Sequence, residues 1–171
     1  MFVDQFLNTH QLHASRFKHA AASTCAEFRA LVPSLSDTQN KNLFLQDKKG
    51  RRHFLVITQP EHEVDLVKLG ETLEAKKLGF ASAARLKHFL GVEPGAVSVL
   101  TLMRDIETKV ELVIDKHIWQ ANVIQAHPLV NTETLVLEKK ELQRFLKITG
   151  HIPKIMNIPV IESIFLANAR A

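Results

Sequence analysis

The sequence predicts a single α+β domain in which helices pack against a mixed or antiparallel β-sheet. Two observations lead to this class. The chain has 171 residues, of which 46% are apolar and 23% are charged, as expected for one domain that buries its own core. Strand-like and helix-like segments follow one another without the regular alternation of a doubly wound parallel sheet. We therefore expect residues 1–171 to form one domain.

The N-terminal segment is predicted to be helical and then irregular. Its first thirty-odd residues have the apolar spacing of one or two short helices, and Pro33 should end them because proline lacks the N–H that a helix needs. Residues 34–40 are mostly Ser, Asp, Thr, Gln and Asn, whose side chains capture nearby backbone groups and favour turns. A loop is therefore expected to lead the chain into the sheet.

A β-hairpin is expected next. Residues 43–45 and 53–58 favour strands, and the sequence between them, residues 47–52, reads D-K-K-G-R-R. Gly50 can adopt the positive φ angle of a tight turn. The pattern therefore predicts two antiparallel strands joined by a basic tip.

Two helices should follow the hairpin. The first begins after Asp65 and carries leucines at helical spacing, with Gly79 as a stop signal. Ser82 can cap the second helix, and Gly91 stands where a left-handed residue ends many helices.

The remaining elements are predominantly strands. Strands are predicted at residues 97–103, 110–114, 123–126, 135–137 and 152–158, and one more helix at about residues 139–149, before Gly150.

Several classes of protein are excluded by composition. A single cysteine, Cys25, rules out an internal disulfide framework and any CxxC motif. No run approaches the ~18 to 20 apolar residues of a membrane span, and the N-terminus lacks the basic start of a signal peptide. Phosphate-loop, nucleophile-elbow, zinc-protease and dinucleotide-binding motifs are absent, and the histidines lack metal-ligand spacing. We expect a cytoplasmic protein with no metal, no cofactor and no membrane partner.

The net charge of +4 conceals two basic segments. Residues 37–54 hold five Lys or Arg against two Asp, and residues 138–154 hold five against two Glu. Either segment could contact a nucleic-acid backbone, although most such runs are solvated faces.

Lys41 and Asn42 are the first candidate functional residues, because they stand where the polar loop enters the first strand of the hairpin. A lysine there can hold a phosphate, and an asparagine can bond a carbonyl, a ribose or a base. The alternative is structural, with Lys41 as an edge-strand lysine that discourages aggregation and Asn42 as a turn residue.

Two loops supply further candidates. His127 precedes Pro128 in H-P-L-V-N-T, and it could bind substrate, act as an acid or base, or only cap a turn. Gly95 follows Pro94 in a predicted turn, where backbone amides could approach a ligand or merely reverse the chain.

Four ordered motifs carry a resemblance to a known family. They are K-N-L-F-L followed by D-K-K-G, then F-A-S-A-A-R-L before L-G-V-E-P-G, then H-P-L-V-N-T, and T-G-H-I-P near the end. Together they resemble the YbaK/ProX family of aminoacyl-tRNA deacylases, relatives of the prolyl-tRNA synthetase editing domain. The resemblance covers nearly the whole chain. It implies an α+β fold around a mixed, barrel-like sheet.

The resemblance also implies a reaction: hydrolysis of the ester that joins a wrong amino acid to the 3′ end of a tRNA, most often alanine on tRNA(Pro). The partners implied are the tRNA acceptor end and prolyl-tRNA synthetase. Lys41, Asn42, Gly95 and His127 match the family's site by position, and Arg85 and Asn131 are further candidates for it. Lys41 is implied as the residue required for activity near the terminal phosphate, and the substrate-binding residues implied are Asn42, Arg85, Gly95, His127 and Asn131.

This implied reaction needs no strong nucleophile, since an aminoacyl ester is already activated. A positioned water and stabilisation of the developing oxyanion are sufficient. We expect Lys41 to anchor the CCA end and backbone amides near Gly95 to orient the ester carbonyl. The basic hairpin tip at residues 47–52 is the expected tRNA-docking surface, because it follows Lys41 closely in sequence.

Departures from the family pattern leave the substrate open. Val99 stands where a proline is usual, residues 101–105 read T-L-M-R-D, and residues 19–21 read H-A-A in place of histidine-proline-proline. The amino acid removed can therefore differ from alanine, and the tRNA from tRNA(Pro). Two other interpretations stay open: an inert accessory protein that binds tRNA or a synthetase, and an interaction domain with no nucleic-acid role.

Overall fold

The computed structural model describes residues 2–20, 39–130 and 132–161. The helices are α1 (Val3–Thr9), α2 (Leu66–Thr72), α3 (Ala83–Leu90), α4 (Lys116–Gln120) and α5 (Lys139–Thr149), with a 3₁₀ helix at Val99–Arg104. The strands are β1 (Ser15–Lys18), β2 (Lys41–Gln46), β3 (His53–Thr58), β4 (Gly79–Phe80), β5 (Val110–Asp115), β6 (Val123–Ala126), β7 (Glu133–Glu138) and β8 (Lys154–Met156). None of the helices in these ranges is both long and apolar enough to cross a bilayer.

The strands form two sheets. The larger sheet has the order β4-β2-β3-β5-β8, in which β2 is antiparallel to both of its neighbours and β5 is parallel to β3 and β8. The smaller sheet has the order β1-β7-β6 and is antiparallel throughout. The mixed α+β class is thus confirmed, and the two sheets of the described chain form an open arrangement that does not close into a barrel.

The central strand β3 is buried on both faces, because each face of the larger sheet is covered by a different layer. The smaller sheet and α5 cover one face; the side chains that meet there include Phe44, Leu55, Ile57, Ile114, Ile124, Leu135, Leu137 and Phe145. Helix α2 and the turn after it cover the other, through Leu45, Phe54, Val56, Val113, Leu69, Leu73 and Leu78.

Helix ends follow the predicted local signals. The Asp65 carboxylate accepts the first backbone N–H groups of α2, and the Ser82 hydroxyl accepts one from α3. Gly91 and Gly150 end α3 and α5 with φ angles of 65° and 78°. Helix α2 ends at Thr72, well before the predicted stop at Gly79.

Three predicted elements differ in the structure. The expected strand at residues 97–103 forms the 3₁₀ helix instead, because Ser98 accepts the N–H of Leu100 and Thr101 bonds the Ser98 carbonyl. The N-terminal segment contains strand β1 as well as a helix, and only three residues of the last predicted strand pair. Cys25, Pro33 and residues 34–38 lie outside the described residues.

Candidate functional site

The hairpin of β2 and β3 has two ends that lie far apart. Lys41 pairs with Thr58 at the open end, and Gln46 pairs with His53 next to the connecting turn. Five residue steps along an antiparallel strand span about 17 Å. The candidate residues therefore divide by the end of the hairpin to which they belong.

The side chain of Lys41 lies at the open end, on the face of the sheet that α2 covers. Its ammonium group donates a hydrogen bond to the backbone carbonyl of His62. The His62 ring is held in turn by Thr58 Oγ1 at 3.2 Å and Gln59 Nε2 at 3.0 Å, and the buried Asp115 carboxylate is 3.9 Å from its Nδ1. An ammonium group has three donors, and His62 is its only acceptor among the described residues. Two donors thus stay available to a phosphate.

Asn42 points to the opposite face, since neighbouring residues of a strand alternate in direction. Its Nδ2 donates to Asn40 Oδ1 at 3.1 Å, and Asn40 Nδ2 donates to the Gln125 carbonyl of β6 at 2.9 Å. Within the described part of the chain, the buried Oδ1 of Asn42 has no donor. These two hydrogen bonds connect the start of β2 to β6, which ends at Ala126, directly before His127.

His127 is held on both sides. Its Nδ1 donates to the Glu133 carbonyl at 3.2 Å, and its own backbone carbonyl accepts a hydrogen bond from the buried Ser98 hydroxyl at 2.8 Å. Burial lowers the pKa of His127, and the nearby His19 lowers it further, against the Glu133 bond that raises it. A carbonyl can only accept, so the proton of the neutral ring lies on Nδ1. The structure therefore presents a neutral imidazole of fixed tautomer.

Gly95 lies in an exposed turn closed by the hydrogen bond from the Ala96 N–H to the Glu93 carbonyl at 3.2 Å. Its φ angle of 89° is one that only glycine adopts without strain. The predicted turn is therefore present, and Ser98, three residues later, connects this loop to His127.

Arg85 lies at the other end of the hairpin. Its Nη1 donates to the Gly50 carbonyl and to His53 Nε2, both at 3.1 Å. The structure thus joins Arg85 to the tip and does not bring it to Lys41, and the tip itself is distant from Lys41 although close to it in sequence. Asn131 lies outside the described residues.

Four residues of the open end were not candidates from sequence: Asn40, Thr58, His62 and Ser98. Asn40 belongs to the loop predicted at residues 34–40, and Ser98 to the strand predicted at residues 97–103. Their roles depend on partners 4 to 85 positions away, which local patterns do not reveal.

The free energy of unfolding is expected to fall as the pH drops below about 6.5, because His127 and His53 become harder to protonate when the chain folds. Burial, reinforced by the Arg85 cation, lowers the pKa of His53 below its ordinary value of 6.5, as burial does for His127. Between the folded and unfolded pKa values the unfolded chain binds more protons, so stability rises with pH there. The contribution is complete above about pH 6.5 and is lost as the pH falls through the folded-state values.

Urea unfolding at pH 7.5, 6.5 and 5.5 measures this loss. The variant His127→Gln, which cannot titrate, should show a shallower dependence than the parent. An equal slope in both would contradict the assignment to His127.

The chain is similar to known proteins over most of its length. Residues 19–145 match the family model described as the aminoacyl-tRNA editing domain. The chain is 32% identical over 148 residues to the prolyl-tRNA editing protein ProX of Acetoanaerobium sticklandii, covering 86% of this chain and 90% of that protein. It is 33% identical over 157 residues to prolyl-tRNA synthetase associated domain-containing protein 1 of Danio rerio, covering 91% and 85%. The crystal structure of the hypothetical protein APE2540 has the same fold, with a TM-score of 0.71 at 17% identity over 91% of this chain and 97% of that one.

Proposed function

The chain belongs to the aminoacyl-tRNA editing domain family, and we propose that it is an aminoacyl-tRNA deacylase that removes alanine or another small amino acid from mischarged tRNA(Pro). Two relatives support the choice of tRNA(Pro), since one is named a prolyl-tRNA editing protein and the other is named for association with prolyl-tRNA synthetase. The expected compartment is the cytoplasm, where the substrate is made. Prolyl-tRNA synthetase is the protein partner that these names suggest.

The observation that carries the proposal is the division of side chains at the open end. The Lys41 ammonium lies on one face of the sheet, and Asn42 and the His127 loop lie on the other. A terminal adenosine that wraps around this end can leave its phosphate near Lys41 and extend its aminoacyl ester toward His127. One polynucleotide end carries both groups, so both faces serve one substrate.

Each group then has a role in ester hydrolysis. Lys41 holds the phosphate with the donors that His62 leaves available. The buried Asn42 Oδ1 accepts from the α-ammonium or a ribose hydroxyl, and the neutral His127 ring borders the amino-acid pocket. Backbone groups of the Gly95 loop orient the carbonyl, and water attacks it with the vicinal ribose hydroxyl assisting the proton transfer.

A panel of mischarged tRNAs tests the proposal. Purified protein is incubated with tRNA(Pro) carrying alanine, serine, cysteine or proline, and with correctly charged alanyl-tRNA(Ala), while loss of each amino acid is followed. We expect turnover of at least one small amino acid on tRNA(Pro), with proline and alanyl-tRNA(Ala) spared.

The other outcomes identify the alternatives. Tight binding without turnover would make the protein an accessory factor of the same fold. Absence of both binding and turnover would leave an interaction domain with no nucleic-acid role. Rapid loss of alanine from both tRNA(Pro) and tRNA(Ala) would support deacylation as the reaction but overturn tRNA(Pro) as the specific substrate.

A further inference from the structure

The hairpin tip and the turn after α2 form one basic surface, named here the tip surface. It consists of five exposed cations: Lys48, Lys49 and Arg51 on the hairpin turn, and Lys76 and Lys77 on the turn after α2. The backbone N–H of Lys48 donates to the Lys76 carbonyl at 3.0 Å. Two segments that lie apart in sequence are thereby joined, so their charges act on the same ligand.

The tip surface is held in shape by two arginines beneath it. Arg85 donates to the Gly50 carbonyl and occupies the space that a Cβ at Gly50 would need. Arg52 donates to the Leu73 carbonyl at 2.9 Å and forms a bidentate pair with Glu111 at 2.6 and 2.7 Å. A backbone that these hydrogen bonds already fix does not have to be ordered when the surface binds a ligand.

The tip surface differs from the second basic segment in its direct ion pairs, although the carboxylates of Glu71 and Glu74 line the same cavity as Lys48, Lys76 and Lys77. None of the five side chains forms an ion pair with a residue that the structure describes, whereas two of the five cations of the second basic segment do. There, Lys140 contacts Glu138 at 2.7 Å and Arg144 contacts Glu141 at 2.9 Å. An unpaired cation can contact a phosphate and release counterions without first giving up a partner. The structure thus distinguishes the tip surface from the second basic segment, although residues 37–54 and 138–154 have the same balance of charges in sequence.

The position of the tip surface indicates which part of an RNA it meets. It lies at the far end of β2, about 17 Å from Lys41, a distance that the unpaired CCA nucleotides at the 3′ end of a tRNA can span before the paired stem begins. We infer that the tip surface binds the phosphate backbone of the tRNA acceptor stem while the 3′ end lies at Lys41. This inference rests on the proposed function for its choice of RNA. Lysines that contact phosphates position a duplex without reading its sequence.

The double variant K48E/K76E tests the inference, because it reverses one charge on each turn. Binding to uncharged tRNA(Pro) is measured by fluorescence anisotropy between 50 and 200 mM salt, conditions that need no catalysis. We expect an affinity loss of at least about tenfold and a fall of about 2 in the slope of log K against log salt. K48A/K76A should give a smaller loss in the same direction, and it replaces the first variant if that one fails to fold.

The matched control is K109E/K140E. Both lysines are exposed and already paired, with Glu107 and Glu138, and the change in net charge is identical. A loss confined to the tip variants supports the inference, and it does so even if the mischarged panel finds no turnover. Equal losses in tip and control variants would reduce the effect to net charge and overturn it, as would unchanged binding in all of them.

Discussion

Replacing Lys41 with alanine is expected to lower the rate of ester hydrolysis by about a hundredfold or more, the scale at which removing a preorganised electrostatic contact acts. Lys41 is the first residue of β2, at the open end of the hairpin, and a neutral methyl group cannot replace the contact of its ammonium group with a phosphate. The fold should survive, because Lys41 is only half-buried and its backbone pairing with Thr58 does not depend on the side chain.

Single-turnover deacylation of the tRNA that the panel identifies is the appropriate measurement, with thermal unfolding alongside. Lys41→Arg is the matched control: it keeps the charge, and we expect it to retain a substantial part of the activity. Lys41→Met keeps the apolar stem and should be as inactive as the alanine variant. Full activity in Lys41→Ala would remove Lys41 from the mechanism without touching the family assignment.

Elements whose signals lie within a few residues were predicted correctly. The hairpin needed only two strand-like runs and Gly50 between them, and α3 needed Ser82 at its start and Gly91 at its end. A side-chain cap or a positive φ angle acts on the adjacent backbone, so its effect can be recognised in an isolated segment.

The 3₁₀ helix at residues 99–104 could not be recognised in this way. Its apolar, β-branched run has the composition of a buried strand, and a short buried helix has the same composition. What decides the outcome is the Ser98 hydroxyl, which accepts from Leu100 and donates to the His127 carbonyl 29 residues away. That second bond exists only once the His127 loop has packed against it.

The candidate site shows the same division. Strand alternation is enough to predict that Lys41 and Asn42 point in opposite directions, but not that His62 lies on one side and Gln125 on the other. The sequence favours the hairpin tip as the tRNA-docking surface because the tip follows Lys41 closely along the chain, but it does not show that the two lie at opposite ends of the hairpin. In a strand as short as β2, residues only five positions apart lie at opposite ends of the hairpin.

Replacing Asp105 with alanine is expected to lower the free energy of unfolding by about 3 kcal/mol, because it leaves several buried donors without an acceptor. Asp105 is 5% exposed, and its carboxylate accepts the N–H groups of Lys109 at 3.0 Å and Val110 at 2.7 Å. It also lies 3.1 Å from Nε2 of the buried His151, which Gly150 delivers from the end of α5. The T-G-H portion of the last motif thus ties α5 to the start of β5.

Urea unfolding measures this change, and an unchanged m-value would show that the native and unfolded states remain comparable. Glu107→Ala is the control from the same loop: the Glu107 side chain is 71% exposed, and its one ion pair among the described residues is with Lys109, so its loss should change stability by less than about 0.5 kcal/mol. Asp105→Asn keeps one acceptor oxygen and should lie between the two. If Asp105→Ala unfolds at the same urea concentration as Glu107→Ala, the buried contacts of Asp105 do not hold α5 against β5, and the T-G-H motif needs another explanation.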